Sequence, residues 1–301
     1  MLHQKIDFQI IANLISGSGD AKKTLDKLTA FLDRHNLTYD VLAITKPTPI
    51  SQLPEDGRIQ KGVICLGGDG TVSETVGFVL NQKVGKPIAI IPAGTANIIS
   101  STLGLDNCKN NFDFLLKNNF KKVDIGVAEY DGEKNYFILG MGLGFEENFL
   151  RLTKEKFKKR LGVFSYIFAA ISELLSLKKI PIKITHGDEE KSLDICLLTV
   201  LNLQPSILKL FPLFKSNGIV CDDRMFNIFY VEYRNYIQAF LGTLLFHLLG
   251  ELHFGLVKSF CAKEFTLESP GICGTQLDGE IRSCLPVKVS FHSEPSYFWI
   301  P

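Results

Sequence analysis

Leu66-Gly67-Gly68-Asp69-Gly70-Thr71 is the stretch on which the reading of this chain turns. The apolar run before it, Gly62-Val63-Ile64-Cys65-Leu66, has the length and composition of a short buried strand. Residues 72–80 after it have a helical pattern, and Thr71 and Glu74 stand at capping-box spacing. A strand that turns into a helix through three glycines lets the backbone approach phosphate oxygens closely. The N–H groups of the helix N-terminus add partial positive charge at the same place. Asp69, the acid in the turn, is placed to hold a metal ion or to position a nucleotide. An ordinary turn, with Gly for positive φ and Thr71 as N-cap, would use the same residues.

Two further units of the same design favour the phosphate reading. Pro87-Ile88-Ala89-Ile90-Ile91 reads as a strand, Pro92-Ala93-Gly94-Thr95-Ala96-Asn97 as a turn, and Ile98 as the start of a helix. Near the N-terminus, Phe8-Gln9-Ile10-Ile11-Ala12 runs into Asn13-Leu14-Ile15-Ser16-Gly17-Ser18-Gly19. In an open parallel sheet such loops converge at the carboxyl ends of the strands, where ligands gather. The candidate nucleotide contacts are therefore Asn13, Ser16, Gly17, Gly19, Gly67, Gly68, Gly70, Thr71, Glu74, Gly94, Thr95 and Asn97. Thr45, at the end of a strand pattern over residues 39–45, joins them.

Outward from these loops, strand patterns at residues 6–13, 39–45, 62–66 and 87–91 alternate with helical stretches near 20–35, 71–81 and 96–103. That alternation predicts a parallel sheet with crossover helices. From residue 121 the texture changes to strand-like runs at 120–130, 135–141, 193–202 and 226–232. After a helical pattern at 236–254, more strands follow at 257–268 and 286–292. The expected organisation is an α/β nucleotide-binding domain over residues 1–126, completed by about 293–301, and a β-rich sandwich or barrel domain over 127–292.

Composition bounds the function classes. A chain of 301 residues, 46% hydrophobic and 22% charged, is globular and long enough for two cores. A net charge of +1 gives no global field, so nucleic acid is not expected as a partner. Seven cysteines, at 65, 108, 196, 221, 261, 273 and 284, have no zinc spacing and fit reduced thiols in the cytoplasm. Residues 236–254 are rich in Leu and Phe but interrupted by Gln238, His247, Glu251 and His253, which predicts a buried helix and no transmembrane segment. Residues 154–160 hold five basic side chains, read either as a solvated helix end or as a membrane-surface patch. Phe211-Pro212-Leu213-Phe214 reads as loop packing or as part of a lipid entry.

The loops carry a family resemblance. The chain resembles the diacylglycerol kinase catalytic family, in particular its bacterial soluble lipid kinases. Gly67-Gly68-Asp69-Gly70-Thr71 with Glu74 and Pro92-Ala93-Gly94-Thr95-Ala96-Asn97 match its two nucleotide loops. Asp124-Ile125-Gly126, Gly142-Leu143-Gly144-Phe145, Lys159-Arg160-Leu161-Gly162 with Tyr166, and Asp278-Gly279-Glu280 follow in the family's order. The resemblance implies an NAD kinase/diacylglycerol kinase-like fold, ATP and Mg²⁺ as cofactors, and a diacylglycerol-like lipid substrate met at a membrane surface. It implies a cytoplasmic enzyme of phospholipid metabolism, peripheral at the inner membrane face. It assigns Asp69 to the metal–nucleotide complex and Glu280 to general base, facing the nucleotide loops across the domain cleft. Asp278 supports Glu280, and Asp124 contacts metal-bound water or closes a strand-end turn.

Departures from the family pattern are local. Asp222-Asp223-Arg224-Met225-Phe226-Asn227 resembles a stretch that in some members holds a structural Mg²⁺. Asp223 is thereby the metal candidate, and Arg224, in place of a glycine, argues against the metal. Leu14 stands for a usual proline, Ile98 for a usual aspartate and Glu146 for aspartate. Two other readings stay open: an NAD kinase-like enzyme, which shares the Gly-Gly-Asp-Gly-Thr loop, and a nucleotide- or lipid-binding protein without catalysis. NAD kinases carry an Asn-Asp/Glu pair after the second loop that is missing here.

Overall fold

The computed structural model describes residues 5–17, 20–46, 58–82, 84–144, 177–204, 219–249, 256–271 and 274–301. Expectations placed on Ser18, Gly19, residues 47–57, Phe145, Glu146, residues 154–170, residues 205–218, residues 250–254 and Cys273 lie outside the described residues. The elements run β1 (Ile6–Asn13), α1 (Ala21–Arg34), β2 (Tyr39–Ile44), β3 (Ile59–Gly67), α2 (Asp69–Asn81), β4 (Ile88–Pro92), α3 (Ile98–Thr102) and β5 (Phe120–Val123). They continue as β6 (Gly126–Tyr130), β7 (Glu133–Phe137), β8 (Gly140–Leu143), β9 (Ile180–His186), β10 (Glu189–Leu201), β11 (Phe226–Glu232) and α4 (Tyr236–Leu249). The last are β12 (Val257–Ala262), β13 (Phe265–Glu268), β14 (Gly274–Leu277), β15 (Glu280–Cys284), β16 (Val287–Phe291) and β17 (Ser296–Trp299). The chain divides into two compact units, Met1–Val123 with Glu294–Pro301, and Asp124–Ser293.

The first unit is built on a mixed sheet ordered β2-β1-β3-β4-β17-β5. All neighbouring pairs are parallel except β17 with β5. The central strands are near-continuous apolar runs because both faces are covered: Phe8, Ile10, Ile11, Ile64, Leu66, Ile88 and Ile90 have no exposed surface. Each such side chain stabilises the unit by about 1.5–3 kcal/mol. Helix α1 buries Thr24, Leu28, Phe31 and Leu32 on one stripe, and Asn36, at φ 53°, lies in the left-handed region just beyond its end. The chain leaves β1 towards β2 on one side and returns as β3 on the other, so the ends of β1 and β3 flank the switch point. Register keeps their ends level with that of β4: Ala12 pairs with Leu66, and Gly67 with Pro92.

The second unit is an eleven-stranded antiparallel sheet. Its long strand β10 pairs with β9 over Glu189 to Ile195, with β11 from Ile195 onward and with β8 from Leu198 onward. A register shift between Ile195 and Leu197 lets β10 serve two cores. Ile195, Leu198 and Val200 join a cluster with Phe137, Phe226, Phe265 and Val289. Cys196, Leu197 and Leu201 turn to a second cluster with Phe229, Val231 and Ala239 of α4. No described helix is long and apolar enough to cross a membrane. Asp131-Gly132 and Asp278-Gly279 make the β6–β7 and β14–β15 hairpin turns, and all four residues have positive φ, as a two-residue turn between twisted strands requires.

The sequence expectations need correction at several boundaries. Helix α2 begins at Asp69, not after Thr71, with extended Gly68 as N-cap and no side-chain cap bond. Thr71 therefore lies inside the first turn and closes no capping box with Glu74. The run 120–130 breaks at Asp124 and Ile125, sending β5 to one sheet and β6 to the other. The run 135–141 breaks at Ile138 and Leu139, and 257–268 breaks at Lys263 and Glu264. Strand β9 was not among the strand patterns read from sequence.

Candidate functional site

The loops after β1, β3 and β4 meet within the first unit through contacts too close for larger residues. A Cβ on Gly94 would lie 2.5 Å from the Gly68 Cα and 2.8 Å from Asn97 Oδ1. Gly17, at φ 68°, would put its Cβ 2.1 Å from the Ala93 carbonyl oxygen. Hydrogen bonds tie the same loops: Asn13 Nδ2 donates to Thr71 Oγ1 (2.9 Å), Ser16 Oγ to the Ala93 carbonyl (3.5 Å), and the Ala93 N–H to the Gly67 carbonyl (2.9 Å). Ala93, not singled out from sequence, is thus the backbone hub of the three loops. Its signal was only its place between Pro92 and Gly94.

Asp69 sits in the first turn of α2, and its Oδ1 accepts the N–H of Ile99 at 2.8 Å. One carboxylate oxygen therefore anchors the start of α3 while the residue remains part-exposed. Asn97 spends its side chain on its own turn, accepting the Gly94 N–H (2.8 Å) and donating to the Gly94 carbonyl (2.9 Å), in the left-handed conformation at φ 51°. Thr95 is exposed at the tip, and Glu74 and Thr45 are exposed on α2 and after β2. Beneath the loop, burial pushes the Cys65 thiol up to about 12, a hydrogen bond with Thr75 opposing and the charge of Glu74 adding. That thiol is a packing group and not a nucleophile.

This arrangement fits a nucleotide phosphate. The first-turn N–H groups of α2, at Asp69, Gly70 and Thr71, have no acceptor within the helix. The missing Cβ atoms of Gly68 and Gly94 keep the backbone open beside them. Mg²⁺ is held by one or two carboxylates together with phosphates and water, so Asp69 alone suits it. Among the described residues no group of three or more His, Cys, Asp or Glu is arranged to hold a metal by itself.

Three of the acids singled out in the second unit, Asp124, Asp223 and Asp278, are spent on backbone. Asp124, 4% exposed, accepts the Arg224 N–H on Oδ2 (2.8 Å) and donates its own N–H to the Cys221 carbonyl (2.7 Å). Arg224, at φ 56°, sends Nη2 to the His292 carbonyl (2.9 Å). Asp223 Oδ1 accepts the Met225 N–H (2.9 Å). Asp278 accepts the N–H groups of Ile138 and Leu139 (2.8 Å each) and Gly140 (3.0 Å). Glu280, the first residue of β15, differs from these: its side chain is 48% exposed and meets Arg282 Nη2 at 2.8 Å. Asn202, buried against Asp124 and Ile138, was missed from sequence, where it ends an apolar strand run.

Parallel strands closing in glycine-lined phosphate loops, joined to an antiparallel β unit, define a kinase-type nucleotide fold. The model of the diacylglycerol kinase catalytic domain matches residues 7–128. A diacylglycerol kinase of Staphylococcus saprophyticus is 26% identical over 286 residues, 90% of this chain and 90% of that one. A diacylglycerol kinase crystal structure from Bacillus anthracis superposes with a TM-score of 0.69 at 22% identity, over 99% of this chain and 98% of that one. An NAD kinase from Archaeoglobus fulgidus in complex with ATP gives a TM-score of 0.52 at 11% identity, over 97% and 93%. At such identities the structures speak for the fold alone. The chain spans about half, 47%, of the length of a further relative from Synechocystis, 27% identical over 213 residues.

Proposed function

We propose that the protein is an ATP-dependent lipid kinase that moves the γ-phosphoryl group of ATP to a lipid hydroxyl, with diacylglycerol as the substrate class. It works at a membrane surface from the cytoplasmic side. The observation that carries the reading is the junction of Gly68 and Gly94 beside the open N-terminus of α2, with Asp69 at its edge. Phosphoryl transfer needs little covalent help from protein; it needs clamped phosphates, spread charge and an oriented acceptor. The α2 N–H groups and Thr71 bind and orient phosphate oxygens, and Asp69 keeps a carboxylate oxygen for Mg²⁺. Bound Mg²⁺ supplies charge neutralisation on the transferring group. Glu280 is the general base that accepts the proton of the lipid hydroxyl. Its exposure supports that role, because a base must be reachable by its substrate.

The match of residues 7–128 to the diacylglycerol kinase catalytic domain and the staphylococcal diacylglycerol kinase that matches 90% of this chain support the same reading. The test is radiolabelled ATP with diacylglycerol and sphingoid lipids in detergent micelles, and with NAD in parallel. Label in the lipid fraction is expected. Label in NAD, or ATP binding with no transfer to any acceptor, would overturn it.

A further inference from the structure

Asn202 follows β10 and is 1% exposed. Its Nδ2 donates to the carbonyls of Ile138 (2.7 Å) and Asp124 (2.8 Å), and its own N–H donates to the carbonyl of Leu139 (2.9 Å). The N–H of Leu203 reaches the same Leu139 carbonyl at 3.1 Å. The other side of this link between β7 and β8 belongs to Asp278, whose carboxylate takes the N–H groups of Ile138, Leu139 and Gly140. The Asp278 N–H returns to the Gly140 carbonyl at 3.0 Å. The link is thus held from both sides: the Ile138 carbonyl by the Asn202 side chain, the Leu139 carbonyl by the backbone N–H groups of Asn202 and Leu203, and its N–H groups by Asp278. Asp278 is itself held at φ 49°, and Glu280 stands two residues further on.

We infer that Asn202 is a positioning residue for Glu280. It fixes the link between β7 and β8, the link fixes the Asp278 carboxylate, and Asp278 fixes the turn from which Glu280 projects. A buried amide with two carbonyl partners is costly to remove, because both carbonyls lose their donor. The whole network lies inside the second unit. The inference rests on the reading of Glu280 as the base.

The experiment is a cycle of four proteins: unaltered, Asn202→Ala, Glu280→Gln and the double variant. Turnover at saturating ATP and diacylglycerol, KM for lipid and ATP affinity by calorimetry are measured in each. Asn202→Ala is expected to lower kcat on the order of 10²-fold, as a displaced group can, with ATP affinity and lipid KM changed by less than about twofold. In the Glu280→Gln background it should slow turnover no further. Equal slowing in both backgrounds, normal turnover of Asn202→Ala, or loss of ATP affinity would overturn the positioning role. If Asn202→Ala does not fold, Asp278→Asn takes its place in the cycle with the same expectations. Normal turnover of Glu280→Gln would overturn the base itself. Slow Glu280→Gln with normal Asn202→Ala would overturn the positioning role alone.

Discussion

The loops of the first unit and the acids of the second employ the same groups, carboxylates and amides against backbone, in opposite ways. Around Gly68 and Gly94 the chain removes side-chain bulk and leaves N–H groups at the start of α2 open to an anion. Around residues 138–140 and 221–225 it brings side-chain oxygens to five backbone N–H groups: three to Asp278, one to Asp124 and one to Asp223. The difference separates scaffold from chemistry. A carboxylate loaded with backbone N–H groups holds the fold, and one facing solvent is available to a substrate. Asp69 is intermediate, with one oxygen on Ile99, and Glu280 lies at the exposed extreme.

The comparison can be broken first at Asp69. Asp69→Asn keeps an oxygen for the Ile99 N–H, so melting should be unchanged while lipid phosphorylation falls by at least about 10³-fold, the scale of a lost preorganised charge. Turnover within a few-fold of the unaltered protein would make Asp69 scaffold like Asp278. Next comes Gly94→Ala, whose methyl must push against Gly68 backbone and Asn97. Urea unfolding should report a loss of about 1–3 kcal/mol, with ATP affinity falling alongside. Unchanged affinity would remove the loop junction from the site.

A smaller effect sharpens the contrast between cysteines of the two units. Cys65, wholly buried beneath the first unit's loop, has its thiol pushed up to about 12 by burial, whereas Cys284 at the end of β15 is exposed. Above the ordinary thiol value of 9.0 the unfolded chain releases a proton that native Cys65 keeps. Stability should therefore fall as pH rises from about 9 toward 12, by up to about 1.4 kcal/mol per pH unit from this group. Cys65→Ala should flatten that slope in alkaline unfolding curves. Equal slopes in the two proteins would remove the contribution of Cys65.

How much was legible in the sequence follows from the same contrast. The three phosphate-type loops could be read because glycine, threonine and a lone acid between an apolar run and a helical pattern are local signals. The start of α2 was misplaced because Gly68 and Gly70 look like loop. Gly70 is tolerated in a first turn whose N–H groups have no helical partner in any case. The breaks at Asp124 and Ile138 fall inside runs read as single strands, although the domain boundary was expected within the first of them, at residue 126. What interrupts them is tertiary: the Asn202 amide and the Asp278 carboxylate capture backbone that would otherwise continue a ladder. Asn202 looked like the end of a strand for the same reason. The loop over residues 92–97 was read correctly as a turn, but the closing of Asn97 onto Gly94 depends on its left-handed backbone, which its residue type permits and does not dictate.

The division of labour between open loops and an exposed acid meets its most direct test in Glu280→Gln. Calorimetry of ATP binding and radiolabel transfer to diacylglycerol would be run on one preparation. ATP affinity should match the unaltered protein, because the nucleotide contacts proposed here lie in the first unit. Transfer should fall by roughly 10²–10⁴-fold, the range of a lost general base. Normal transfer, or lost ATP binding, would contradict the account.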